Sequence, residues 1–145
     1  MKVDFYQLSR DPVEQVLPAI AQKLMDDDAR LLVVDEREGA LARLSRALWS
    51  RRPESFLAHG QVGEGDEALQ PILLSSECGA TNGAENIALT DGVWREDALS
   101  FQRAFYFFND ITIAAARATW RALKGREGVD SRFWRQEGGK WIEGP

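Results

Sequence analysis

The chemistry open to this chain is limited by its single histidine and its single cysteine. His59 has no second histidine beside it, and Cys78 alone cannot complete a set of metal ligands. A catalytic triad could be drawn from Ser55, His59 and Asp66, but no Gly-x-Ser-x-Gly turn is present to expose the serine. We therefore predict no catalytic residues and no metal site, and we interpret His59 as a loop residue that fixes a turn.

A glycine-rich segment matches the dinucleotide-binding pattern only formally. The residues are Gly63-Glu64-Gly65-Asp66-Glu67-Ala68. In a working site, backbone N–H groups and a helix N-terminus meet the phosphates directly after a strand. Here three carboxylates stand where a pyrophosphate would lie, and Pro71 stops any following helix. We predict no cofactor, and we keep one alternative: a small nucleotide-dependent or hydrolytic α/β enzyme that uses His59 and the loop from Gly63 to Gly65.

The most informative residues lie on a helix predicted from about residue 110 to residue 124. Four of them recur at positions i, i+3, i+4 and i+7 and share one stripe: Arg117, Trp120, Arg121 and Lys124. A separate apolar stripe is predicted to face the sheet: Ile111, Ala115, Ala118 and Ala122. Arginine can fork onto a carboxylate while the indole supplies apolar contact, so the first stripe suits an acidic peptide end. Spacing alone leaves open a solvated face whose Trp120 leans into the core.

A second candidate surface surrounds a proline turn. Trp49 precedes Pro53, and Phe56 follows it closely. Two large aromatic side chains in this position either anchor the core or form an exposed patch for a partner protein. The sequence alone favours the core.

The charge distribution argues against a protein that grips nucleic acid directly. The net charge is −5, and residues 1–102 carry a balance of −8 while residues 103–145 carry +3. DNA and RNA binding draws mainly on contacts between cations and phosphates, which an acidic surface repels. Single-strand binding on Trp120, Trp134 and Trp141 is therefore disfavoured, whereas a local basic stripe can still accept an acidic peptide.

Length and composition indicate one small globular domain over residues 1–145. A lone cysteine excludes an internal disulfide and fits a reducing compartment, and neither a signal peptide nor an apolar run of membrane-spanning length is present. We therefore expect a cytoplasmic protein with no membrane partner.

Hydrophobic patterning predicts an α/β fold. Strands are expected at residues 2–8, 31–34, 71–74, 87–89 and 103–108, with a final hairpin or edge strand over 131–136 and 140–142. A first helix is expected to residue 25, with a capping box at Asp11 and with Pro18 either kinking the helix or marking its start. A second helix is expected over 36–49. The alternation of strands and helices indicates an open, mostly parallel sheet with helices on both faces.

An ordered set of motifs resembles the chi subunit family of bacterial DNA polymerase III. The set runs along most of the chain: Phe5-Tyr6-x-Leu8, Leu48-Trp49, Pro53-Glu54-Ser55-Phe56-Leu57-x-His59-Gly60, Gly63-Glu64-Gly65, Pro71-Ile72-Leu73-Leu74, Asn82-Gly83, Ala116-Arg117-x-x-Trp120-Arg121-x-Leu123-Lys124 and Trp134. The resemblance implies a sheet like that of mononucleotide-binding proteins without a working phosphate loop, and a noncatalytic accessory role in the clamp-loader complex.

The resemblance also implies two partners, each with its own surface. The acidic C-terminal tail of single-stranded-DNA-binding protein is expected on Arg117, Trp120, Arg121 and Lys124. The psi subunit or a helicase is expected on Trp49, Phe56 and Tyr106, in a monomer within a hetero-complex that meets DNA only indirectly. Trp120 stands where a tyrosine is common in the family, which keeps the apolar contact and changes the polar group. With the family considered, we expect the stripe to be a binding surface.

Overall fold

The computed structural model describes residues 1–50 and 57–144, which form one sheet and three α-helices. The helices are α1 (Val13–Asp26), α2 (Ala40–Ser50) and α3 (Ile113–Leu123), and none in this part of the chain is long and apolar enough to cross a bilayer. The strands are β1 (Lys2–Gln7), β2 (Leu31–Val34), β3 (His59–Gln61), β4 (Ile72–Ser75), β5 (Asn86–Leu89), β6 (Arg103–Phe108), β7 (Asp130–Glu137) and β8 (Lys140–Glu143). Two short 3-10 helices lie at Glu67–Leu69 and Glu96–Ser100.

The sheet is mostly parallel, as the sequence predicts. Its strand order is β3-β4-β2-β5-β6-β1-β7-β8, and only the β7–β8 pair is antiparallel. β1 lies between β6 and β7, with Phe5 opposite Tyr106 on one side and Phe133 on the other. Parallel strands buried on both faces need continuous apolar sequence, and β2 and β6 have it.

Helices cover both faces of the sheet and define two hydrophobic clusters. The first cluster joins α1 and α2 to the face that carries Tyr6 and Phe105. The second joins α3 to the face that carries Phe5 and Tyr106. Successive side chains of β1 therefore point to opposite faces, as the two-residue period of a strand requires.

The start of α1 differs from the predicted capping box. Pro12 occupies the N-cap position, and no side chain caps the helix. Instead, the Oε1 atom of Gln136 accepts hydrogen bonds from the N–H groups of Ser9, Arg10 and Asp11 at 3.2–3.4 Å. Pro18 lies buried inside α1, so it does not mark the start of the helix. Gln136, a residue of β7 far away in sequence, therefore holds the loop before α1, and its Nε2 atom also donates to the Asp11 carboxylate at 3.2 Å.

The segment after α2 contains a strand where a loop was expected. His59–Gln61 forms the edge strand β3 and pairs in parallel with β4, with His59 opposite Ile72. The predicted second helix begins later than expected, at Ala40, and buries Ala40, Leu44 and Leu48 as its spacing indicates. A three-residue strand has too little pattern to be recognised from sequence.

Candidate protein interaction surface

Helix α3 is held to the sheet by one row of side chains. Ala116 and Leu123 are buried, and Ile113 and Trp120 are partly buried against the second cluster. The predicted apolar stripe is wrong, because its members are all exposed, Ile111 at 90%: Ile111, Ala115, Ala118 and Ala122. Turning Leu123 and Trp120 inward buries more apolar area than three alanines could, which decides the rotation of the helix.

The helix α3 begins slightly later than the predicted residue 110 and follows a tight turn. The helix begins at Ile113 with Thr112 in the N-cap position. The Oδ1 atom of Asn109 accepts hydrogen bonds from the N–H groups of Ile111 and Thr112, at 2.9 and 3.2 Å. Asn109 therefore closes the turn that leads into the helix, as Asn side chains commonly do.

Trp120 joins the aromatic core to the surface. Its ring meets the ring of Phe5 edge-on at 5.2 Å and the ring of Phe133 edge-on at 5.6 Å. The Nζ atom of Lys124 lies 6.0 Å from the Trp120 ring centroid, near the limit of a cation–π contact. The indole therefore leans into the core, the reading that spacing had left open, and it still keeps a partly exposed side near Lys124.

Three cations lie close to this indole in sequence, on the outside of α3. Arg117, Arg121 and Lys124 are exposed, and none of them takes part in an ion pair within residues 1–50 and 57–144. Arg121 and Lys124 also lie at the C-terminal end of the helix, where the helix dipole favours positive charge. We call Arg117, Trp120, Arg121 and Lys124 the basic ridge.

The sequence analysis did not predict a hydrogen-bonded cluster between Arg126, which follows the basic ridge, and the 3-10 helix Glu96–Ser100. The carboxylate of Glu96 accepts a hydrogen bond from Trp94 Nε1 at 3.1 Å and another from Arg126 at 3.1 Å. These two bonds, with Trp94 first, hold the pKa of Glu96 below its usual value. No spacing rule could have joined Glu96 to Arg126, which lies 30 residues later.

The second predicted surface is only partly described. Trp49 is 47% exposed at the end of α2, and its ring lies 4.4 Å from the ring of His59. Phe56 falls in residues 51–56, outside the described residues. The expectation that Tyr106 contacts a partner needs correction, because its side chain is fully buried and its hydroxyl donates to the Gly92 carbonyl at 2.9 Å. That burial also raises the pKa of Tyr106.

Both ring nitrogens of His59 are engaged in hydrogen bonds within the fold, as expected for a structural residue. One ring nitrogen lies 2.7 Å from the Ser45 hydroxyl, and the other lies 2.8 Å from the Leu57 carbonyl oxygen. The ring is thereby fixed beneath Trp49. Its serine partner is on α2, whereas Ser55 of the suggested triad is outside the described residues.

Carboxylates in and beside the loop from Gly63 to Gly65 accept hydrogen bonds from backbone N–H groups at the start of the loop. The Gly63 N–H donates to Glu67 at 2.9 Å, and the Gln61 N–H donates to Glu64 at 2.8 Å. The Thr81 hydroxyl, and then the Gly63 N–H, lower the pKa of Glu67. A phosphate would have to displace these carboxylates, so the geometry opposes the nucleotide alternative.

The three tryptophans considered for single-strand stacking do not form one platform. Trp120 packs against the second cluster, whereas Trp134 and Trp141 pack against the first, on the opposite face of the sheet. Among the residues that the structure describes, no group of three or more histidine, cysteine, aspartate or glutamate side chains is placed to hold a metal ion.

Comparison with known proteins identifies the family. One relative, the DNA polymerase III subunit chi of Escherichia coli strain K12, is 36% identical over 75 residues, which cover 47% of this chain and 51% of the relative. The match thus spans about half the length of that curated relative. A family model described as "DNA polymerase III chi subunit, HolC" matches residues 1–141. Because that match covers nearly the whole chain, the protein belongs to the DNA polymerase III chi subunit family.

Proposed function

We propose that the chain is a noncatalytic accessory subunit of the bacterial DNA polymerase III clamp-loader complex, and that it links the complex to single-stranded-DNA-binding protein. The observation that carries the proposal is the basic ridge: three exposed cations without ion-pair partners in the described residues, close in sequence to a partly exposed indole. Family membership supports a role in replication.

The ridge has the chemistry that an acidic chain end needs. A C-terminal tail with aspartates and a final phenylalanine offers carboxylates to Arg117, Arg121 and Lys124 and an apolar ring to Trp120. Because Trp120 is already braced by Phe5 and Phe133, little side-chain freedom is lost on binding. DNA itself is met only indirectly, since the acidic remainder of the molecule repels phosphates.

A titration with the tail peptide tests the proposal. A labelled peptide that ends in acidic residues and phenylalanine should bind with micromolar affinity, roughly −8 kcal/mol. Raising the salt concentration from about 50 mM to about 200 mM should weaken binding, because exposed charges are screened. A peptide of the same composition in scrambled order, without the terminal phenylalanine, is the control. Equal affinity for both peptides would reject specific recognition of the chain end.

The second surface, at Trp49 and Phe56, is proposed to bind psi or a helicase. Half of the Trp49 side chain faces solvent, and the His59 ring holds the indole in place. A rigid aromatic residue of this kind is a frequent energetic centre of protein interfaces. Trp49 lies on α2, which packs on the opposite face of the sheet from α3, so the two partners would not compete for this residue.

Replacing Trp49 with alanine should separate the two surfaces. We expect Trp49→Ala to weaken binding of psi or of the helicase by about 30-fold or more, since a central aromatic contributes about 2 kcal/mol or more. Tail-peptide affinity should stay unchanged. Leu69→Ala, another exposed apolar side chain, serves as the matched control in the same calorimetric titration. If Trp49→Ala binds both candidate partners like the parent, this surface is assigned wrongly.

A further inference from the structure

A groove that none of the functions above uses opens between α1 and the β7–β8 hairpin. It encloses about 750 Å³ on the face of the sheet opposite the basic ridge. The side chains of α1 form one wall, and the strands supply the floor. Apolar and charged side chains line it together, among them Tyr6, Ile20, Lys23, Asp26, Asp27 and Trp141.

The floor of the groove is aromatic and partly open to solvent. The Tyr6 ring lies 5.0 Å from the Trp141 ring, edge-on, and 6.2 Å from the Phe105 ring. Trp141 and Ile20 are only partly buried against the first cluster. Apolar side chains left in this state gain from being covered, at about 25 cal/mol for each Å² removed from water.

The charge of the groove is acidic once internal pairs are removed. Arg103 is neutralised by Asp4, a buried carboxylate 2.7 Å from its Nε atom, which also accepts a 3.0 Å hydrogen bond from the Trp134 indole. The remaining charged residues of the groove are one cation, Lys23, and three carboxylates: Asp11, Asp26 and Asp27.

Two of these carboxylates lie at the C-terminal end of a helix, where negative charge is electrostatically unfavourable. Asp26 and Asp27 end α1, and the C-terminal end of a helix carries partial negative charge. Asp28 follows directly and adds a third carboxylate. Negative charges at this end of a helix lower the stability of the fold. Residues that are unfavourable for stability in this way are usually found at functional positions. A cation from outside would relieve the repulsion.

We propose that this groove docks a basic amphipathic segment of a partner protein. The apolar side chains of the segment cover Ile20 and Trp141, which are only partly buried, while its lysines or arginines lie beside Asp26 and Asp27. Nucleic acid does not fit, because its phosphates would meet the same aspartates. The groove and the basic ridge lie on opposite faces, so this inference stands or falls independently of tail binding.

An anisotropy titration with a labelled amphipathic peptide of leucine and lysine tests the proposal on the full chain. The parent should bind it, and the double variant Asp26→Asn and Asp27→Asn should bind about 5-fold more weakly, because two charge contacts of about 0.5 kcal/mol each are lost. The matched control removes two exposed carboxylates near α3, by Asp110→Asn and Glu127→Gln, and should bind like the parent.

A second pair of variants blocks the groove without touching the core. Ala19→Arg places a long cationic side chain on the exposed wall of α1, and Ala115→Arg places the same side chain on the exposed side of α3. Only Ala19→Arg should abolish peptide binding. The proposal is overturned if both carboxylate pairs weaken binding equally, if a leucine–glutamate peptide binds as tightly, if oligothymidylate displaces the peptide, or if Ala19→Arg instead abolishes self-association of the chain.

Discussion

Replacing Arg117, Arg121 and Lys124 together with alanine is expected to weaken binding of the acidic tail peptide by about 100-fold or more. Exposed charge contacts contribute up to about 1 kcal/mol each, so three of them amount to about 3 kcal/mol, and 1.4 kcal/mol corresponds to a factor of ten. Calorimetry at low salt measures the loss. Because all three side chains are exposed and lack ion pairs in the described residues, thermal unfolding should change little.

The control for this variant removes the same number of positive charges elsewhere. Lys23, Arg43 and Arg46 are exposed on α1 and α2, which cover the opposite face of the sheet from α3. Their combined replacement by alanine should leave tail affinity within about 2-fold of the parent, since distant exposed charges are screened. Equal losses in the two triple variants would mean that net charge, and not the ridge, attracts the peptide.

Replacing Phe5 with alanine is expected to lower the free energy of unfolding by about 3–5 kcal/mol, the usual cost of removing a buried phenylalanine ring. Phe5 is fully buried and contacts the rings of Tyr106, Phe108, Trp120 and Phe133. Urea unfolding measures the change. Such a loss is a large part of the total stability of a small domain, so the milder Phe5→Leu variant accompanies it.

Phe5→Leu also tests whether the core braces the ridge. Removing the ring on which Trp120 rests should reduce tail affinity several-fold and leave its salt dependence unchanged, because the cations remain. Phe107→Leu is the matched control, since Phe107 is equally buried on the neighbouring strand but faces the first cluster. If both variants lower tail affinity to the same extent, Trp120 is not held in place by Phe5 in the way we describe.

The fold class could be predicted because its signals are local. Apolar runs such as Leu31–Val34 and the 3.6-residue spacing of Val13, Val16 and Leu17 each appear within a few residues of sequence. Strands that alternate with helices then leave few arrangements other than a parallel sheet covered on both faces. The hairpin around Gly138 and Gly139 was also visible as a turn between two short strands.

The buried face of α3 could not be predicted in the same way. The helix has two faces that could be apolar in sequence. One carries the alanines at 115, 118 and 122, and the other carries Trp120 and Leu123 beside the cations at 117, 121 and 124. The choice depends on Phe5 and Phe133, which are distant in sequence and offer edge-on contacts to Trp120. Asp11 does not cap α1 for a related reason, because its carboxylate instead accepts a hydrogen bond from Gln136 of β7.

The site residues illustrate the same limit. Arg117, Arg121 and Lys124 are all exposed on α3, as helical spacing predicts, and their part in tail binding stays a prediction. Tyr106 was carried over from the family resemblance, and the alternation of β6 turns it into the core beside Phe5. The resemblance suggested a role for Tyr106 from its residue type, whereas the structure shows that this position of β6 is buried.

Intact single-stranded-DNA-binding protein, compared with the same protein lacking its C-terminal tail, provides the most direct measurement of the central claim. Sedimentation of each form with this chain would show whether a complex forms. We predict a complex with the intact protein, none with the truncated protein, and none between intact protein and the chain without its three ridge cations. A complex that survives removal of the tail would contradict the account.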